Sequence, residues 1–138
     1  MRTSTVIFMT IALASIVPVA VADSPKSAGS VQELLHQPLP NMSQPDVVVI
    51  TVDYPPGAST PPHEHPGATY AYVLKGAVVS QLGDEQPHTY TEGQLWSETP
   101  HQRHVLSRNA SATDPARLLV FFVAPHGEEL TTILPSKP

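Results

Sequence analysis

Short runs of β-branched and apolar residues, each ended by glycine or proline, fill the sequence from residue 47 onward. Such runs are typical of strands, and the glycines and prolines between them are typical of turns. Many short, evenly spaced strands with no long helix indicate an all-β barrel or jelly roll. Strands are predicted at 47–54, 69–74, 77–82, 88–91, 94–98, 104–107 and 116–123.

A short helix is predicted ahead of these strands. Ser30 and Glu33 match a capping box, in which each side chain covers a backbone N–H of the other residue. The helix is expected to continue to about Gln37 and to end before Pro38. The predicted organisation is therefore a signal peptide at 1–22, an arm with this helix at 23–46, a single barrel at 47–125 and a tail at 126–138.

The first 22 residues have the features of a secretory signal. Arg2 precedes an apolar run, and the run ends at Ala20 and Ala22, small residues suited to a cleavage site. An uncleaved membrane anchor is the alternative, but the run is short for a bilayer and contains Pro18. We therefore expect an exported protein, secreted or periplasmic if bacterial, with no stable membrane insertion after cleavage.

Charge and cysteine content exclude several functions. The net charge of −5 becomes −6 without Arg2, and the seven Lys and Arg residues are scattered along the chain. No basic patch is available to neutralise a phosphate backbone, so nucleic-acid binding is not expected. The chain has no cysteine, which excludes disulfides, thiolate chemistry and zinc–sulfur sites.

Three histidines are the candidate metal ligands. His63 and His65 are two residues apart, so in an extended chain they share a face, roughly 7 Å apart along the strand. His104, from another predicted strand, can join them around one ion. Three buried histidines satisfied by backbone hydrogen bonds are the alternative. Glu64 alternates outward from the pair.

The first part of this pattern resembles the first motif of the cupin family. That motif places a glycine, the His-x-His pair, a glutamate and a second glycine at fixed spacings. Here Gly57, His63, His65 and Gly76 hold their places, and Thr69 stands where the metal-binding glutamate is expected.

The second cupin motif is also matched in part, so that the resemblance covers residues 47–123. Gly93 and His104 hold their places, Asn109 is one residue late, and His101 replaces a glycine. The Trp96-Ser97-Glu98 run and the segment at 109–113 are similar to those of small exported bacterial and fungal cupins. The resemblance implies a single-domain cupin β-barrel that pairs as a homodimer.

The resemblance also implies a divalent metal ion, for which Fe²⁺ is our first choice and Zn²⁺, Ni²⁺, Cu²⁺ or Mn²⁺ are alternatives. Threonine is a poor ligand for such ions, so an oxygen from another strand is expected to complete the site. Gln81 and Glu98 are the favoured candidates and Tyr70 is a third. His101 is expected to face solvent, with a fourth-ligand or proton-shuttle role as the alternative.

Three function classes are compatible with these residues, and the cupin resemblance implies the secondary-metabolite context of the first. The first is a metal-dependent oxidoreductase or dioxygenase acting on a small, aromatic or secondary-metabolite molecule. The others are a metal-dependent isomerase, cyclase or lyase, and a non-catalytic small-molecule binding protein. Most aromatic residues should fill the barrel, while some could line the pocket; the candidates are Tyr70, Tyr72, Trp96 and Phe121. Asn41 and Asn109 fit the glycosylation sequon, which matters only in a eukaryotic host.

Overall fold

The chain folds into two facing antiparallel sheets. The computed structural model describes residues 29–39 and 45–135. The predicted signal peptide at 1–22 and the sequon at Asn41 lie outside these residues. The strands are β1 (Ser30–Pro38), β2 (Pro45–Tyr54), β3 (Ser59–Thr60), β4 (His63–Glu64), β5 (Ala68–Lys75), β6 (Ala77–Leu82), β7 (His88–Thr91), β8 (Leu95–Glu98), β9 (His104–Asn109), β10 (Ala116–Pro125) and β11 (Thr132–Ile133).

The order of the strands brings distant parts of the chain together. One sheet has the order β1-β2-β10-β5-β8, and the other has β11-β4-β9-β6-β7 with β3 also paired to β9. The all-β jelly roll predicted from the sequence is confirmed. Strands β1 and β11 belong to the predicted arm and tail, so both of these segments add strands to the barrel. Within the described residues no helix is long and apolar enough to span a membrane.

The helix predicted from Ser30 to about Gln37 is wrong. These residues form β1, which pairs with β2 along its length and has a bulge between Glu33 and Leu35. An isolated helix of two turns is marginal in water, and the capping box adds only about 1 kcal/mol. When these residues pair with β2, they satisfy the backbone groups that β2 would otherwise present at the edge of the sheet.

The core lies between the two sheets and follows the alternation of the strands. On β10, Leu118, Val120 and Phe122 point inward, and Phe121 and Val123, which alternate with inward positions, point to solvent. On β5 the inward positions include Val73. These inward side chains form the apolar wall against which the histidine segment packs.

Gly67 allows the chain to pass close to this wall directly after His65. A side chain at this position would collide with the backbone of Val123 and Ala124 on β10. Only glycine permits such an approach of two backbones. The close contact fixes the segment that carries His63 and His65 against the first sheet.

Candidate metal centre

The three predicted histidines meet at one point between the sheets. His63 on β4 is the direct cross-strand partner of His104 on β9, and His65 follows β4 by one residue. Their rings are buried, and one ring nitrogen from each lies within 4.8 Å of the others. Three imidazoles at this separation can hold a metal ion.

Hydrogen bonds orient each ring. Nδ1 of His63 lies 2.8 Å from the Pro61 carbonyl oxygen, and Nδ1 of His65 lies 2.6 Å from that of Leu130. In His104 it is Nε2 that is engaged, 2.8 Å from the Ser80 hydroxyl. Nδ1 of His104 is buried and has no hydrogen-bond partner among the described residues. A metal ligand is typically oriented by a hydrogen bond on its other ring nitrogen, and all three histidines have one.

Burial keeps two of these imidazoles neutral. It lowers the pKa of His63 from 6.5 to about 4, against the opposing effect of the Pro61 carbonyl, and the neighbouring histidines lower it further. Burial also lowers the pKa of His65. Because a metal binds the unprotonated nitrogen, both rings are ready for a metal ion at neutral pH.

Glu98 lies beside the histidines. Its carboxylate is 3.8 Å from Nε2 of His65 and 3.2 Å from Nδ1 of His104, and its side chain is 3 % exposed. Burial raises the pKa of Glu98, but the adjacent His104 and His65 outweigh burial, and the net pKa is lowered. The site therefore contains one carboxylate, which is ionised at neutral pH.

The other two oxygen candidates do not reach the histidines. Ser80 contacts His104, so the next residue on β6, Gln81, points to the opposite face of the strand. Tyr70 is on the solvent face of β5. Thr69 is buried and donates its hydroxyl to the Gly67 carbonyl at 3.4 Å. The prediction of Gln81 as a ligand is thus corrected by the alternation of β6.

A cavity of about 220 Å³ adjoins the histidines. Its wall is mainly aliphatic and aromatic, and none of the described residues that line it is a lysine or arginine. Glu98 is its acidic residue. The lining comprises Val31, Ile50, Val52, Tyr54, Thr60, His63, His65, Thr69, Ala71, Trp96, Glu98, His104, Ser107, Leu118, Val120, Phe122 and Thr131.

Of the four predicted pocket aromatics, only Trp96 lines this cavity. Its indole N–H donates to Oε1 of Glu98 at 2.9 Å. Tyr70, Tyr72 and Phe121 lie on the outer face of the first sheet and are 40–45 % exposed. The prediction that they line the pocket is wrong, because the positions that alternate with them on β5 and β10 are the ones that face inward.

Sequence analysis missed a hydroxyl cluster in the cavity. The Tyr54 hydroxyl hydrogen-bonds Thr60 Oγ1 and lies 2.9 Å from Ser107 Oγ. Part of this cluster could have been predicted from the sequence, because Ser107 lies on the same predicted strand as His104. Val31 and Thr131 were also missed, because nothing local shows that the arm and tail reach the cavity.

Asn109 and His101 contact other parts of the fold and do not line the cavity. Asn109 is buried, and its amide nitrogen donates to the carbonyls of Tyr54, Pro55 and Asp114, which excludes glycosylation there in the folded chain. His101 has φ 58°, and its backbone N–H donates to the His65 carbonyl at 2.8 Å. Its ring is exposed, and Nδ1 lies 3.3 Å from Glu64, outside the cavity.

Comparison with protein families shows to which family the chain belongs. Residues 50–122, more than half of the sequence, match the cupin domain. The chain belongs to the cupin family. The matched range of this cupin includes His63, His65, His104 and Thr69, which stands where the motif described above has a glutamate. A comparison with curated proteins found no match.

Solved structures share the fold of this cupin at low sequence identity. DMSP lyase DddQ from Ruegeria pomeroyi DSS-3 has a TM-score of 0.63 and 16% identity over 80% of this chain. The match spans about half, 54%, of DddQ itself. A cupin-like protein from Thermotoga maritima MSB8 has a TM-score of 0.58 and 22% identity over 65% of each chain. KdgF from Halomonas sp. has a TM-score of 0.55 and 19% identity over 70% of this chain and 79% of its own.

Proposed function

We propose that this cupin is a metal-dependent oxidoreductase of the dioxygenase type, with a divalent ion held by His63, His65 and His104. The observation that carries the proposal is the convergence of three oriented ring nitrogens, within 4.8 Å of one another, at the wall of an apolar cavity. Buried histidines that served only the fold would have no reason to bring a nitrogen of each ring to a common point.

Fe²⁺ is the proposed ion. Imidazole ligands suit iron, zinc, copper and nickel alike, so the donor set allows Zn²⁺, Ni²⁺, Cu²⁺ or Mn²⁺ as alternatives. When bound, ferrous iron supplies open coordination positions at which a substrate and O₂ can meet. The chain itself contributes the oriented imidazoles, an apolar wall that excludes water, and the hydroxyl of Tyr54 as a hydrogen-bonding group for a substrate.

The cavity defines the substrate class. Its volume of about 220 Å³ is below the range of about 300–1,000 Å³ typical of pockets for drug-sized ligands. Its lining offers no lysine or arginine to pair with a carboxylate, and burying an unpaired charge against its apolar wall would be costly. We therefore propose a small, uncharged and largely apolar substrate such as a phenol or a diketone.

A metal-dependent lyase or isomerase is the second candidate. The likeness in fold to a protein named as a DMSP lyase supports it. In this case the ion would polarise a carbonyl as a Lewis acid, and the reaction would consume no O₂.

Oxygen uptake separates these functions. The purified chain would be loaded with Fe²⁺ without oxygen and then mixed with air-saturated buffer and a panel of neutral phenols and diketones. Each compound would be paired with its carboxylic acid analogue, and the His104→Ala variant would be the control. Uptake with neutral compounds alone, lost in the variant, supports the oxidoreductase. Turnover without uptake supports the lyase or isomerase, and binding without turnover supports a binding protein.

We further propose that the chain is exported after loss of residues 1–22 and pairs as a homodimer through β1. This edge strand exposes the apolar side chains of Leu34 and Leu35, which a second copy would cover. Sequencing the N-terminus of the protein from its host culture tests export. Light scattering on the purified chain tests the dimer, and Leu34→Lys should convert a dimer to a monomer.

A further inference from the structure

Thr69 and Glu98 occupy adjacent positions on neighbouring strands. Thr69 on β5 stands at the motif position of the missing carboxylate, and its direct cross-strand partner on β8 is Glu98. Directly opposed residues of an antiparallel pair project to the same face, with Cβ atoms about 4.5–5.5 Å apart. A carboxylate at position 98 can therefore reach the point that a carboxylate at position 69 would reach.

The two oxygens of Glu98 have different surroundings. Oε1 accepts a hydrogen bond from the indole N–H of Trp96 at 2.9 Å. Oε2 is buried and has no hydrogen-bond partner among the described residues, and it lies 3.8 Å from Nε2 of His65. An unsatisfied buried carboxylate oxygen is costly to the fold, so its retention calls for a cation at this point.

His104 presents a matching unsatisfied atom. Its Nδ1 is buried and lacks a hydrogen bond, although it lies 3.2 Å from Oε1 of Glu98. The unsatisfied atoms of Glu98 and His104 thus belong to the same cluster of side chains as the ring nitrogens that converge within 4.8 Å of one another. One divalent cation would satisfy all of them together.

We propose that Glu98 is the fourth and anionic ligand of the metal centre, supplied from β8 in place of the motif glutamate of β5. This inference rests on the proposed function, since it requires that the three histidines bind a metal. Trp96 then acts as a positioning residue, because its N–H holds Oε1 and leaves Oε2 for the ion.

Zinc affinity tests the proposal without reference to activity. Zn²⁺ would be titrated against a chromophoric chelator with the wild-type chain, Glu98→Gln and the control Glu64→Gln. Glutamine at position 98 keeps an oxygen for the Trp96 N–H and removes the charge. We expect Glu98→Gln to lose about 100-fold or more in affinity, the upper end of the effect of removing groups that only orient ligands. Glu64 points away from the ion, so Glu64→Gln should bind as the wild type does.

Moving the carboxylate back across the strand pair is the rescue experiment. Glu98→Thr alone should be as weak as Glu98→Gln, and the double variant Thr69→Glu/Glu98→Thr should recover most of the lost affinity. If Glu98 only paired with His104 for the stability of the fold, Glu98→Thr alone would bind zinc as tightly as the wild type, and there would be no lost affinity for the double variant to recover.

The outcomes separate this inference from the proposed function. If the wild type binds zinc and Glu98→Gln binds it equally well, Glu98 is not a ligand, while the histidine site stands. If the wild type binds no zinc, or if His63→Ala/His104→Ala binds as tightly, the metal centre itself is refuted. Should Glu98→Gln fail to fold, a crystal structure of zinc-loaded wild type decides. A Glu98 oxygen at about 2.0–2.2 Å from the ion supports the proposal, and one beyond van der Waals contact refutes it.

Discussion

Thr69 and Glu98 face each other across the β5–β8 pair, both buried and both at the wall of the same cavity. Their juxtaposition links the sequence motif of this cupin to its structure. The motif position has lost its acid, yet a carboxylate remains within one cross-strand step of it. The site therefore keeps a set of three imidazoles and one carboxylate, although the acid is attached to a different strand.

Acidification should destabilise the metal-free protein. The pKa of His63 is lowered from 6.5 to about 4 on folding, so between these values the unfolded chain holds a proton that the folded chain does not. The free energy of unfolding therefore falls as pH decreases through this window, by about 3 kcal/mol in full for a shift of this size. Urea unfolding of chelator-treated protein at neutral pH and near pH 4 measures the effect.

His63→Gln is the control for this prediction. The variant lacks the titrating imidazole but keeps a polar side chain, so its stability should depend less steeply on pH than that of the wild type. The lowered pKa of His65 contributes in the same direction in both proteins. Equal pH dependence in the two proteins would contradict the assignment to His63.

His101→Gly should stabilise the protein. His101 has φ 58°, a left-handed conformation that costs about 1–2 kcal/mol for a residue with a side chain. Glycine relieves this strain at the expense of a more flexible unfolded chain, so we expect a gain of about 1 kcal/mol in the free energy of unfolding. Zinc affinity should not change, because the His101 ring lies outside the cavity.

Gly57→Ala provides the matched control. Gly57 has φ 68°, and a Cβ there would meet nothing within 4 Å, so the alanine variant reports the backbone strain alone. It should lose about as much stability as His101→Gly gains. Loss of zinc binding in His101→Gly would instead favour the alternative role of His101 as a ligand.

Asp46 should hold β1 against the sheet. Its carboxylate lies 2.7 Å from Nε2 of His36 on β1 and 3.0 Å from Nδ1 of His126 after β10. The hydrogen bond to Asp46 raises the pKa of His36, and the bonds to both histidines lower the pKa of Asp46. Asp46→Asn should accelerate hydrogen exchange of the β1 amides more than that of the β10 amides.

The pH dependence of this contact has the opposite sign to that of His63. The His36 contribution is fully present below 6.5 and is lost as pH rises through the raised pKa of the folded state. The Asp46 contribution is present above 3.8 and is lost on acidification through its lowered pKa. Protection of β1 should therefore decrease from weakly acidic to alkaline pH. Protection unaffected by both pH and Asp46→Asn would refute the contact.

Local sequence signals were sufficient for most strands and for the histidines. The runs at 77–82 and 88–91 coincide with β6 and β7, because turn glycines and β-branched residues delimit them clearly. His63 and His65 were identified by their spacing, and His104 by its predicted strand and its place in the second cupin motif. The sequence also allowed a prediction of which residues of β5 face inward. If Thr69 occupies an inward motif position, then Tyr70 must face outward by the alternation of the strand, and so must Tyr72.

Other features depend on pairing between distant segments. The capping box at Ser30 is a local signal for a helix. Pairing with the edge of β2 is possible only in the folded sheet, and this pairing stabilises the same residues as the strand β1. Likewise, Leu130 orients His65 from 65 residues away. The choice of Glu98 over Gln81 beside the histidines depends on the register of β8 against β5 and of β6 against β9, which no single run of sequence specifies.

The stoichiometry of bound metal tests the central claim most directly. The wild-type chain and His63→Ala/His104→Ala would each be loaded with Fe²⁺ without oxygen, dialysed and analysed by mass spectrometry for metal per chain. We predict one ion per chain in the wild type and none in the variant, since His65 and Glu98 alone are too few ligands to retain the ion through dialysis. Equal occupancy in the two proteins, or no ion in the wild type, would contradict a metal centre at these histidines.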